Sequence, residues 1–242
     1  MKKSVTLSIG MFSLAVLLLS GCGQIPVNKH KKNENQSYIK LQAEDASLIT
    51  ACTEIAEYRL MSYYPQLRFS TEYSEDGTSV ISFDADENWD ESKLEQICRY
   101  GRLTFREGTD TETDEEGNTV PTGELILENS DISKAEVNFI DNGMGQEYSV
   151  HISMNAAGSD KFALATSVLA STDIPLSIWF DNELISSPKV TAPITNGEAI
   201  ITGNFDADSA AELANAIDSG AMPCALAVID HKIVTSQDID KN

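Results

Sequence analysis

Histidine and cysteine are scarce in this chain, with three and four among its 242 residues. His30, His151 and His231 are scattered without HxH or HxxxH spacing, and Cys52, Cys98 and Cys224 match no zinc pattern. No metal site is visible, and no cofactor motif stands out. Three cysteines beyond Cys22 are also too few for a disulfide scaffold. Cys52 and Cys98 fall on two neighbouring expected helices, which leaves a bridge between them open; buried free thiols are the default. Basic residues are sparse too, 17 against 38 acidic ones, for a formal net charge of −21. So acidic a body repels phosphate backbones, which argues against nucleic acid as a partner. After residue 19 no apolar run approaches the roughly 20 residues that a membrane-spanning helix needs. A glycine-framed nucleophile beside a base is missing as well. His151 lies inside a strand pattern, and the acidic residues fall mostly in loops and on polar faces, so no catalytic residues are assigned.

The N-terminus is rich in information. Lys2 and Lys3 give a positive start, Val5 to Leu19 an apolar run, and Leu19-Ser20-Gly21-Cys22 closes it. That order is a secretory signal, too short and wrongly flanked for a permanent span. Small residues at Ser20 and Gly21 fit a peptidase, and the Cys22 thiol offers a site for a diacylglyceryl group, so the ending resembles the bacterial lipobox. Cys22 is the expected lipidation site. Two or more acyl chains, at about 0.8 kcal/mol per buried CH₂, hold a protein on a membrane where one chain is marginal. The expected location is therefore the extracytoplasmic face of the cell membrane, with the protein reaching the membrane through the lipid on Cys22. Loss of residues 1–21 removes Lys2 and Lys3 and takes the charge to −23. Residues 22–37 read as a polar tether, in which Lys29, His30, Lys31 and Lys32 are either attracted to an anionic leaflet within a Debye length or simply form a solvated basic linker.

Beyond the tether the chain alternates between helical and strand periods. Ser37 to Leu41 is a short strand candidate. Leu48, Cys52, Ile55, Ala56, Leu60 and Tyr63 then recur at three and four, and Pro65 ends that helix. Two alternating runs around Leu67–Thr71 and Val80–Asp84 flank the turn Glu75-Asp76-Gly77. A second helix carries Leu94, Ile97 and Cys98, with Gly101 near its end, and Leu103-Thr104-Phe105 reads as a strand. The order β-α-β-β-α-β over residues 38–107 is that of a ferredoxin-like unit. Residues 108–123 are acidic and read as an exposed loop. It fails as an EF-hand, because Glu115 and Pro121 stand where glycine and glutamate are required; weak calcium binding stays open. Residues 124–235 repeat the mixed style. Strands are expected at Leu125–Leu127, Glu136–Ile140, Tyr148–Met154, Leu176–Phe180, Leu184–Val190, Cys224–Ile229 and Lys232–Val234. Helices are expected from about Ser159 to Ser171 and after Asp206 or Asp208, the latter ending at Gly220. Turns are marked by Asp141-Asn142-Gly143 and Asp181-Asn182. Residues 236–242 form a polar tail. The fold class is α+β: a ferredoxin-like base and an α+β head with a mixed or antiparallel sheet.

One stretch carries more than a fold class. It runs Glu183-Leu-Ile-Ser-Ser-Pro-Lys-Val190, Ile194-Thr-Asn-Gly197, Ile200-Ile-Thr-Gly-Asn-Phe205, Ala210-Ala-Glu-Leu-Ala214 and Ser219-Gly-Ala-Met-Pro223. Upstream stand Gly101-Arg-Leu-Thr-Phe-Arg106, Gly158-Ser-Asp-Lys-Phe162 and Arg59. Together, over about residues 38–230, these are similar to the large extracytoplasmic domain of SecD, an accessory subunit of the bacterial Sec protein translocase. Met222 stands where that family usually has leucine, a volume-conserving change. The resemblance implies an accessory factor that contacts Sec translocase subunits and unfolded secreted polypeptides. Strand addition to a sheet edge, or a groove between base and head, would supply the contact. It also implies a detached, lipid-tethered relative, since SecD proper continues into several membrane helices and its proton-linked work belongs there. The alternative is an envelope scaffold or regulatory lipoprotein that keeps the fold and acts outside translocation.

Overall fold

Pairing of strands distant in sequence organises this chain, which is seen in a computed structural model describing residues 36–85, 89–141 and 146–234. The signal segment, the lipidation candidate Cys22, the tether as far as residue 35, the turn residues 142–143 and the tail lie outside the described residues.

The base contains β1 (Ser37–Ala43), α1 (Ile49–Tyr63), β2 (Phe69–Tyr73), β3 (Thr78–Phe83) and α2 (Lys93–Cys98). Buried and part-buried residues alternate strictly along β1, as a strand with one core face requires. The β2–β3 turn is held by Asp76, whose Oδ1 accepts from the Thr78 N–H at 3.1 Å and the Thr78 hydroxyl at 2.7 Å. Gly77 completes it at φ +79, and a Cβ there would meet the Ala46 backbone at 2.7 Å.

The fourth strand of the base sheet is not the one expected. The strand over Leu103–Glu107, here β4, pairs in the head. The base is completed instead by Leu226–Lys232, which is β13, the last strand among the described residues. The sheet order β13-β1-β3-β2 is antiparallel throughout, so the βαββαβ plan is met with the head inserted before its final strand. Two causes combine. Gly101, at φ +70, turns the chain away after α2. Leu103 and Phe105 then bury completely in the head, where the Phe105 ring meets Phe162 edge-on at 5.9 Å. The expected boundary near residue 107 therefore falls four residues beyond the start of the head's first strand.

The head comprises β4, β5 (Thr111–Thr113), β6 (Thr119–Pro121), β7 (Leu125–Glu128), β8 (Ile132–Asp141), β9 (Gln146–Met154), α3 (Ala156–Leu169), β10 (Leu176–Phe180), β11 (Glu183–Ser186), β12 (Glu198–Phe205) and α4 (Ala207–Asp218). Its antiparallel sheets are ordered β11-β10-β4-β7 and β12-β9-β8. The acidic segment 108–123 is not a plain loop: β5 and β6 pair as a hairpin. Asp114 shapes its turn, with Oδ1 accepting the N–H groups of Glu116 and Asn118 at 3.0 and 2.7 Å. Asp181 and Asn182 sit at φ 49 and 67, the conformation a two-residue hairpin demands. Asn155 caps α3 and Asp206 caps α4, each accepting the N–H three residues on.

Each region has its own core. The base gathers Ile39, Leu41, Cys52, Ala56, Leu60 and Ile81; the head gathers Leu103, Phe105, Leu127, Ile152, Phe162 and Ile201. Both belong to one compact unit.

Candidate functional site

The sequence pattern of α3 puts apolar residues on two faces. Gly158, Phe162, Thr166 and Leu169 are buried in the core. Lys161, Leu164, Ala165 and Val168, on the adjoining stripe, line with Leu169 an open groove of about 400 Å³ between α3 and β7. Leu164 is 70% exposed, Val168 54% and, across the groove, Leu125 45%. The helix expected from about Ser159 to Ser171 carries Phe162, Leu164, Ala165, Val168 and Leu169, of which Phe162 and Leu169 are buried while Leu164 and Val168 are exposed.

The other wall is an edge strand. β7 lies at the end of its sheet and, among the described residues, pairs only with β4. Its second edge offers backbone groups with no strand partner, the usual template for adding an extended chain. The floor is built by a 3-10 turn, Asn129–Asp131. Asp131 is 3% exposed. Its carboxylate accepts from Lys161 Nζ at 2.7 Å and from the Glu128 N–H at 3.2 Å. The pair compensates the buried Asp131 carboxylate, while Lys161 stays half exposed at the groove. Gly158 makes this possible, because a Cβ there would stand 2.4 Å from the Asp131 carbonyl oxygen. Glu107, Glu124 and Glu128 line the remainder. The groove therefore offers apolar contact, free backbone valence and negative charge. It suits an extended, apolar or basic polypeptide segment and repels anionic lipid.

A groove between base and head is a different matter, since the junction is filled. Arg59 on α1 is 1% exposed. Its Nε donates to Ser219 Oγ at 2.8 Å and its Nη2 to the Gly220 carbonyl at 2.9 Å, both just after α4. Its Nη1 donates to the carbonyls of Ile97, at 3.3 Å, and Arg99, after α2. Burial lowers the Arg59 pKa to about 10 against the opposing pull of Asp181, so the group is still a cation at neutral pH. A Cβ at Gly101 would stand 2.5 Å from Arg59 Nη2, which is why glycine is needed in that turn. Around this centre the Met222 N–H donates to the Tyr100 carbonyl at 2.7 Å, Tyr58 donates to Asp218 at 2.6 Å, and Lys93 pairs with Glu212 at 2.7 Å. A sequence can flag an arginine at an apolar helical phase, yet three of its four acceptors are backbone carbonyls and leave no trace in it.

His151 lies within β9 as expected, with its ring nitrogens 3.8 Å from Glu136 and 3.9 Å from Glu198. Cys52 and Cys98, considered above as partners, are both free thiols, and Cys52 faces Cys224 instead.

Comparison with known proteins fits this geometry. A family model described as SecDF, P1 head subdomain, matches residues 106–224. Protein translocase subunit SecD from Synechocystis sp. is 36% identical over 98 residues, covering 38% of this chain and 21% of that protein. SecD from Acidaminococcus fermentans is 36% identical over 121 residues, covering 50% and 26%. The chain thus spans about a quarter of the length of such relatives. A solved structure of SecDF in a super-membrane-facing form superposes with a TM-score of 0.69 at 20% identity, covering 81% of this chain and 30% of the other. Another, of a membrane component SecDF that enhances protein export, gives 0.64 at 19% identity and is covered in full by 81% of this chain. Among the described residues no helix is long and apolar enough to cross a membrane. In sequence over its head, and in α+β fold over head and base together, the chain is similar to the periplasmic P1 domain of the protein translocase subunit SecD.

Proposed function

We propose that this chain is a lipid-anchored, extracytoplasmic SecD-like accessory factor. It holds extended segments of translocating or newly secreted polypeptides in the groove between β7 and α3. The observation that carries the reading is the coincidence of an unpaired β7 edge with exposed Leu164, Val168 and Leu125. Backbone hydrogen bonds to an edge are nearly independent of sequence, and a shallow apolar wall adds modest affinity. Such a contact suits a passing chain better than a deep, selective pocket would. The lipid on Cys22 supplies the proximity to the membrane. No catalytic chemistry enters this reading.

The test is photocrosslinking in living cells with probes at Val168 and Leu125, and at exposed Glu54 of the base as control. Adducts to secreted chains, formed only at the head positions and lost when secretion is blocked, are the expected result. Leu164→Asp should cut the Val168 yield roughly tenfold, the loss of about 1.4 kcal/mol of binding. Adducts only to resident envelope proteins, unchanged by the block, would favour the scaffold reading and overturn this one. In the same cells Cys22→Ser should release the protein from the membrane fraction; unchanged membrane retention would refute the lipid anchor.

A further inference from the structure

We infer that Cys52 and Cys224 form a disulfide when the protein meets an oxidising thiol–disulfide couple, fastening the chain's return from head to base onto α1. The two Sγ atoms stand 3.5 Å apart, across 172 positions of sequence. Cys52 is fully buried at the centre of the base core, and Cys224 packs against that core two residues before β13. A disulfide needs about 2.05 Å between sulfurs, a closure within reach of side-chain rotation when the thiols already touch. Cys98 sits on α2 with its thiol turned to the backbone N–H of Val228. The Cys52–Cys98 bridge left open by the neighbouring helices gives way to Cys224, because β13, not marked as a base strand in the sequence, brings Cys224 alongside α1.

The position gives the bridge a purpose. The base sheet is closed only when the chain has left for the head and come back. The noncovalent ties at that junction, Arg59 to Gly220 and Met222 to Tyr100, lie immediately before Cys224. A bond from Cys224 to α1 would secure the returning segment independently of those ties, in a location outside the cytoplasm where disulfides persist.

The chemistry balances with a small-molecule disulfide or a thiol–disulfide oxidoreductase as oxidant. The part-exposed Cys224 thiolate attacks that disulfide, forming a mixed disulfide and releasing one thiol. Cys52 Sγ, after losing its proton, displaces the second thiol and forms the Cys52–Cys224 bond. Two electrons and two protons end on the oxidant. Burial, and then the neighbouring Cys224 thiol, push the Cys52 pKa up, so the resolving step is slow in the folded protein and fastest during folding.

The test uses the full chain refolded with oxidised glutathione, acid-quenched, alkylated and mapped by mass spectrometry. A Cys52–Cys224 cross-linked peptide as the main product, with Cys98 alkylated, is expected. The oxidised protein should melt roughly 5–10 °C above the reduced one. Cys98→Ser should keep that difference, and Cys224→Ser should abolish it. Recovery of Cys52 and Cys224 as alkylated thiols, or of either bonded to Cys98 or Cys22, would overturn the inference. Mapping of the unsubstituted chain decides the matter even where a variant fails to fold.

Discussion

Head and base complete their sheets differently, though each leaves strands at its edges. The base covers its sheet with two helices and obtains its last strand from the far end of the chain. The head leaves β7 at an edge, with an apolar groove beside it. Similarity to known proteins divides along the same line. The family match runs over residues 106–224, nearly all of it head, whereas the fold match covers 81% of the chain. The difference teaches that a strand gained from far along the chain can complete a core by packing alone. The head presents exposed Leu164 and Val168 beside a free strand edge, an arrangement that core packing alone does not require.

The strongest way to break this contrast is at Arg59, where the two regions are joined. Arg59→Met removes the guanidinium and strands buried carbonyls of Ile97, Arg99 and Gly220. The expected cost is roughly 3–5 kcal/mol in urea denaturation, with calorimetry separating base and head into two transitions. A single transition at an unchanged midpoint would show that Arg59 does not hold the junction. Gly158→Ala acts on the head alone. Its methyl must push α3 off the 3-10 turn at Asp131, which is expected to lower stability by about 2 kcal/mol and to weaken crosslinking from Val168 with the base intact. A neutral result there would mean that the groove floor is plastic. Leu164→Asp is the smallest perturbation of stability, within about 0.5 kcal/mol, because the side chain is already 70% exposed. Loss of polypeptide crosslinking without loss of stability would separate function from packing; a large destabilisation would place Leu164 in the core after all.

Local structure was legible wherever a short-range rule governed it. The end of α1 before Pro65, the Asp206 cap of α4, the Asp181-Asn182 hairpin and the Gly77 turn all follow from neighbouring residues. The α3 helix starts three residues earlier than expected because Asn155, which the apolar pattern does not mark, caps it. The acidic segment reads as a loop in the sequence because β5 and β6 expose most of their residues, so no apolar alternation announces them. The candidate groove is half visible in the sequence: Leu164 and Val168 are apolar residues of an expected helix, but their exposure while Phe162 is buried depends on which face of α3 meets the core.

By itself, then, the sequence determined the α+β class, the succession of helices and strands, the turns and caps, and a likeness to SecD carried by particular residues. These depend on periodicity and on side-chain-to-backbone contacts only a few positions apart. Only the tertiary structure decided that β13 rather than β4 closes the base, that Arg59 is the fastening of the two regions, and that Cys52 faces Cys224. Each of those is a contact across 38 or more positions. Apolar alternation makes a strand able to pair but does not name its partner, because every buried edge satisfies it equally; the partner is chosen by the packing of the whole.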